Sequence, residues 1–178
     1  MKQIVQTKRL NIREFRYSDA AFIVKLFNST DYKKHNGNNN VNNLFDGENY
    51  LLTGPIKSYY DNKFGFWIVE LKNNKTPIGL CGFVMADNIK KPHFKCAYLP
   101  QFFRNGFAFE AATAVLVYAN EMLNIKSVFA NTVKENIPAI KLLEKLGLVS
   151  RVRDINLKPI IRPCKIGGNN SMVWVAVK

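Results

Sequence analysis

Between residues 64 and 133 the hydrophobic pattern changes period twice, and this constrains the fold more than any other feature of the chain. Phe64–Leu71 reads as a strand, Asn73-Asn74-Lys75 as a turn, and Ile78–Met85 as the returning strand of a hairpin. His93–Leu99 is a further strand, closed by Pro100. Phe107–Leu123 then runs through helix formers (Glu110, Ala111, Ala112, Ala114, Leu116, Ala119) with apolar residues on most of its surface, so it should be buried against a sheet. Ser127–Val133 returns to strand pattern. A strand, a long buried helix and a strand imply a parallel pair joined by a right-handed crossover.

The flanking segments extend this core. Leu10, Ile12 and Phe15 alternate with Arg9, Asn11 and Arg13 as a first strand, and Ser18-Asp19 precedes a helix over Ala20–Phe27. His35–Asn43, with six asparagines and one glycine, reads as a surface loop or a lid over a substrate entrance. Glu48–Tyr60 suggests a short helix interrupted by Gly54-Pro55. Asn136 caps a helix over Ile137–Leu146, with Pro138 in its first turn and Gly147 beyond its end. Val149–Leu157 and Met172–Val177 supply the last strands. No internal repeat is visible. The expectation is a single α/β (α+β) domain over residues 1–178, with a mixed, mostly antiparallel twisted sheet of about six to seven strands and about four flanking helices.

Composition removes several classes. With 178 residues, 47% hydrophobic and 22% charged, the chain is expected to be globular rather than disordered. No apolar run approaches the ~20 residues of a membrane span, and the N-terminus lacks the pattern of a secretory signal. Three cysteines without Cys-x-x-Cys spacing and two histidines argue against a disulfide framework or a metal site, and for a reducing cytoplasm. The unusual number is charge: 26 basic against 13 acidic residues, a formal +13. Such a field attracts phosphates, RNA or anionic surfaces and repels polycations.

Chemistry concentrates at Tyr98–Ala111, a strand followed by a basic turn with a glycine and then a helix N-terminus. Unpaired backbone N–H groups and the helix dipole make this an anion site. Gly106 lets a ligand approach the backbone, and Arg104 adds a charge. The pattern is neither a Walker loop nor a Gly-x-Gly-x-x-Gly fingerprint. A pyrophosphate suits it, although a glycine in such a loop also serves simply as a turn.

Phe103-Arg104-Asn105-Gly106-Phe107-Ala108 followed by Phe109-Glu110-Ala111 resembles the acetyl-CoA loop of the GCN5-related N-acetyltransferase (GNAT) superfamily, in the branch of the ribosomal-protein N-terminal acetyltransferases. Phe103 stands where that family has Gln or Arg. Asn136-Ile137-Pro138-Ala139, Leu142–Leu148, Thr7–Arg13 and Pro77–Gly82 resemble other family segments in the same order. The resemblance implies acetyl-CoA as co-substrate and a splay between the two parallel strands. Pantetheine would pair with the backbone near Tyr98 and Leu99, and the pyrophosphate would lie on the loop from Phe103 through Arg104, Asn105, Gly106 and Phe107 to Ala108. Asn136 would hydrogen-bond the cofactor, and Lys141 and Lys145 read as a solvated helix face, with a reach to its 3′-phosphate as the alternative.

The implied reaction is direct attack of a neutral amine on the thioester. Many relatives carry a tyrosine acid seven residues after the asparagine, but here that position is Leu143. The strand before the loop lacks a carboxylate, so His93 is the candidate base, with Glu70 and Asp87 as alternatives. An α-amine, with pKa ~7.7–8.0, suits an enzyme without a strong base better than a lysine at ~10.4 does. The expected acceptor is therefore a protein or peptide N-terminus or a small low-pKa amine. Ribosomal RNA or another anionic partner fits the charge, no membrane is expected, and the chain would be a monomer or homodimer. The competing reading is a non-catalytic basic module that stacks single-stranded nucleic acid on Phe102, Phe103, Phe107 and Phe109 beside Arg104.

Overall fold

Two hairpins begin the sheet. Strands β1 (Gln3–Gln6) and β2 (Leu10–Arg13) form the first; β3 (Phe66–Leu71) and β4 (Pro77–Ala86) form the second. In the computed structural model, which describes residues 2–86, 91–133, 135–152, 163–166 and 169–177, β5 (Lys91–Tyr98) follows β4 antiparallel. Strand β6 (Ser127–Thr132) then lies parallel to β5. With β7 (Val149–Val152), β8 (Pro163–Ile166) and β9 (Asn169–Val177), the sheet order is β1-β2-β3-β4-β5-β6-β9-β7, and β8 lies on β9. Residues 153–157, expected to continue the strand that begins at Val149, lie outside the described residues, as does Asp87.

Strand alternation gives the sheet two apolar faces. Helix α5 (Phe107–Met122) covers one, burying Ala111, Ala112, Val115, Leu116 and Ala119 against Trp67, Phe83 and Phe94. This is the buried crossover helix its composition requires. The other face carries Ile68, Leu80 and Ala97 and packs against Ile23, Leu26 and Phe27 of α1 (Ala20–Phe27) and Leu51 of α3 (Leu44–Leu51).

Two local expectations change. His35 and Asn36 belong to a helix, α2 (Thr30–Asn36), so the asparagine-rich loop is shorter than expected. Ser29 caps α2, accepting from the Tyr32 amide at 3.4 Å, and the helix buries no residue fully, which is why no hydrophobic period marks it. The interrupted helix begins at Leu44, capped by Asn43, and continues into α4 (Lys57–Asp61). Gly54-Pro55 does not break it: a π-helical turn over Leu52–Ile56 accommodates the proline. After Asn136, α6 (Ile137–Lys145) occupies the expected place. Among the described residues, no helix is long and apolar enough to cross a membrane.

Candidate active site

The two parallel strands part almost at once. Their only registered pair is His93 with Phe129, and toward its carboxyl end β5 has no backbone partner on that side among the described residues. The Leu99 amide donates to the Ile78 carbonyl on β4 at 2.9 Å, so Leu99 and Ala97 direct their main-chain groups toward β4. The alternation leaves Cys96 and Tyr98 facing the gap. At Leu99 the N–H is taken by Ile78, and the carbonyl accepts from the Phe102 amide at 3.0 Å. Tyr98 keeps a free edge, and Cys96, which sequence reasoning missed, joins it. The Tyr98 side chain instead enters the core beside Cys81, where burial pushes the phenol well above its ordinary range.

The gap opens into a cleft of about 300 Å3. Its walls include Lys95 and Cys96 from β5, Ala130 and Thr132 from β6, Asn136 at the cap of α6 and Leu143 within it. Leu143 thus faces the cleft where many relatives place a hydroxyl. Asn136 accepts from the Ala139 amide at 3.2 Å through Oδ1, leaving its NH2 group for a ligand.

At one end of this strand stands the basic loop. Among the described residues, no protein group accepts from the backbone N–H groups of Arg104, Asn105, Gly106, Phe107 or Ala108. They precede and enter the first turn of α5, whose dipole adds positive potential. Gly106 sits at φ 78°, the left-handed region, and a Cβ there would lie 3.4 Å from the Arg9 guanidinium. Arg104 also has positive φ, 60°.

Arg9 organises this loop, and sequence reasoning did not assign it there. Its Nε donates to Glu110 at 2.7 Å, its Nη1 to the Asn105 carbonyl at 2.9 Å, and its guanidinium lies 4.5 Å over the Phe107 ring. Glu110 also accepts from the Thr7 hydroxyl at 2.6 Å and the Arg9 amide at 2.9 Å. Burial pushes Glu110 up, but these donors outweigh it and hold the carboxyl below its ordinary range. The signal was present as Thr7-Lys8-Arg9, but the chain alone could not show that it meets Glu110.

The candidate bases separate. Glu70 is held by Arg13 at 2.9 Å and by the Asn11 amide at 2.6 Å, in a buried network that also includes Asp19, so it is not at the cleft. His93 stacks on Phe129 with ring centroids 5.7 Å apart and is not among the described cleft-lining residues. The other histidine, His35, does line the cleft. Beside the cleft lies a smaller hollow of about 170 Å3 between α2 and β5, which shares Asn36, Lys95 and Cys96 with it.

The stacking surface expected for nucleic acid is not assembled. Phe102, Phe107 and Phe109 pack on the core, Lys145 lies 4.4 Å over Phe109, and Phe103 alone of the four is well exposed.

Residues 9–149 match the acetyltransferase (GNAT) domain family. The chain is a GNAT acetyltransferase. Of the relatives found, the uncharacterized N-acetyltransferase YoaA of Bacillus subtilis is 27% identical over 149 residues, 83% of each chain. An acetyltransferase from Agrobacterium tumefaciens superposes with a TM-score of 0.72 at 16% identity, covering 97% of this chain and 91% of its own. RimL, a ribosomal L7/L12 alpha-N-protein acetyltransferase in complex with coenzyme A, gives 0.71 at 11% identity, covering 81% and 82%. At these identities the structural likenesses bear on fold. They agree with the α/β fold described above for this acetyltransferase.

Proposed function

We propose that this acetyltransferase uses acetyl-CoA to acetylate a primary amine of low pKa, a protein or peptide α-amine or a small molecule with a similar group. The observation that carries the cofactor assignment is the row of five unpaired amides at Arg104–Ala108, joined to a cleft between parted parallel strands. A pyrophosphate fits those amides, and an extended amide-bearing chain fits the open edge at Cys96 and Tyr98. Acetyl-CoA supplies an activated thioester. The chain's residues orient it: the loop holds phosphate, the NH2 group of Asn136 reaches into the cleft, and an amide on the open edge of β5 is placed to stabilise an oxyanion.

Charge supports the choice of acceptor. Among the described residues, neither the cleft nor the adjoining hollow is lined by a carboxylate, and Lys95 lines both. A second cationic group on the acceptor would meet repulsion there. RimL acts on a ribosomal protein α-amine by its name, which is the same amine class.

The test is a thermal-shift titration with coenzyme A beside one with an RNA oligomer. Stabilisation by coenzyme A that survives moderate salt is the expected result. Stabilisation by RNA alone, lost steeply with salt, would overturn the reading in favour of a binding module.

A further inference from the structure

Acetyl transfer to an amine needs a group that removes a proton from the attacking nitrogen. We propose that His35 is that proton acceptor and that the amine enters from the α2 side, through the hollow between α2 and β5. The inference rests on the acetyltransferase reading and adds the residue and the direction of approach.

Three observations converge on His35. It closes α2 and lines the cleft, while its neighbours Tyr32 and Asn36 line the hollow, so it stands where the two spaces meet. Its Nδ1 is buried and, among the described residues, has no hydrogen-bond partner. A buried ring nitrogen left unpaired calls for an explanation, and a bound N–H donor supplies one. Finally, the surrounding groups leave it little competition.

The ionisable groups of β5 at this junction are Lys95 and Cys96. Lysine is a cation at neutral pH and cannot accept a proton. Burial pushes the Cys96 thiol up to about 12, so it too is protonated. From β6 and α6 the described lining residues, Thr132 and Asn136 among them, carry no ionisable side chain. On α2 itself Asp31, Lys33 and Lys34 line neither space, while Tyr32 of α2 and Tyr50 of α3 line the hollow as phenols that burial pushes above their ordinary range, so both stay protonated. Imidazole exchanges protons near neutrality, which matches the task.

The step balances as follows. The nitrogen lone pair forms the N–C bond, and the C–S bond breaks with its electron pair leaving on sulfur. One amine proton passes to His35 and from there to solvent, and the thiolate takes a proton from solvent. No oxidant or metal is required.

The test uses His35→Gln and His93→Gln in the full chain. The measured quantity is kcat/KM for an α-amine peptide against pH, corrected for the neutral fraction of the acceptor. The expected result is a loss on the order of 100-fold in His35→Gln, with disappearance of the acidic limb and an unchanged affinity for coenzyme A. A second readout needs no turnover. Because the chain has two histidines, each substitution assigns one imidazole signal in a proton NMR spectrum. Adding the acceptor peptide to the coenzyme A complex should move the His35 signal. The proposal is overturned if the acidic limb survives in His35→Gln and vanishes in His93→Gln, or if only the His93 signal responds. Loss of coenzyme A binding by the unsubstituted protein would instead overturn the acetyltransferase reading itself.

Discussion

The carboxylate of Glu110 joins the first hairpin to the loop proposed to hold the cofactor. It accepts from Thr7 and from both the amide and guanidinium of Arg9, and Arg9 in turn holds the Asn105 carbonyl. Because the folded carboxyl lies below its ordinary range, its stabilisation is complete above the unfolded value of ~4.3 and is lost as pH falls through the lower folded value. Glu110→Gln should therefore lower stability at neutral pH by about 1–3 kcal/mol and weaken coenzyme A binding by releasing Arg9. The difference from the unsubstituted protein should shrink in acid, which thermal melts at neutral and acidic pH would check. A second carboxylate network is more deeply buried. Arg13 bridges Asp19 at 2.8 and 3.0 Å and Glu70 at 2.9 Å. Arg13→Met leaves two buried carboxylates without their cation, and a loss of about 3–5 kcal/mol is expected in denaturant titration. Coenzyme A affinity in the remaining folded protein should not change, because this network lies away from the cleft.

At the scale of elements, legibility followed burial. Helix α5 and strands β3 to β6 could be read because their apolar residues recur with a clear period and because Pro100 and Gly106 punctuate them. Helix α2 could not, since Thr30–Asn36 is largely polar and is held by a serine cap and by the stacking of Tyr32 on Phe27. That omission hid His35. β1 was missed for a related reason: Gln3 and Gln6 bracket only two half-buried apolar residues, too few to establish alternation. The turn proposed to hold the cofactor was legible as a turn and helix start because its requirement is local. Gly106 must take a left-handed conformation for the chain to turn from β5 into α5, and the helix then exposes its first amides. Arg9 was not legible, because its role depends on a hairpin approaching that turn from about 100 residues earlier in the chain. Gly106→Ala tests the element directly. Positive φ opposes a methyl group, while the Arg9 guanidinium 3.4 Å away would be in ordinary contact with it, so a stability loss of about 1 kcal/mol is expected from the backbone alone. Coenzyme A affinity should fall about tenfold or more by calorimetry, because the strain falls on the phosphate loop itself. An unchanged affinity would mean that the five amides do not hold phosphate.

Over the whole molecule, the formal +13 acquires a direction once the acidic residues are placed. Arg9 pairs with Glu110 and Lys57 with Asp61, Arg13 is shared between the buried Asp19 and Glu70, and none of these carboxylates lines the cleft or the hollow. Lys95 remains at the junction where an acceptor would arrive. If the amine arrives at this junction as proposed, long-range attraction and local selection would favour the same acceptor, one with a single amine and negative charge elsewhere. Two peptides with the same N-terminal residue, one acidic and one basic beyond it, should differ in kcat/KM in favour of the acidic one. The difference should shrink as salt rises from about 20 to about 200 mM, where screening falls to roughly 10 Å or less. Any preference that survives high salt is the local contribution of Lys95. Lys95→Glu should abolish or invert that residual preference while leaving coenzyme A affinity within about threefold, since the loop amides lie elsewhere. If diamines prove the better acceptors for the unsubstituted protein at low salt, neither the net charge nor Lys95 governs selection.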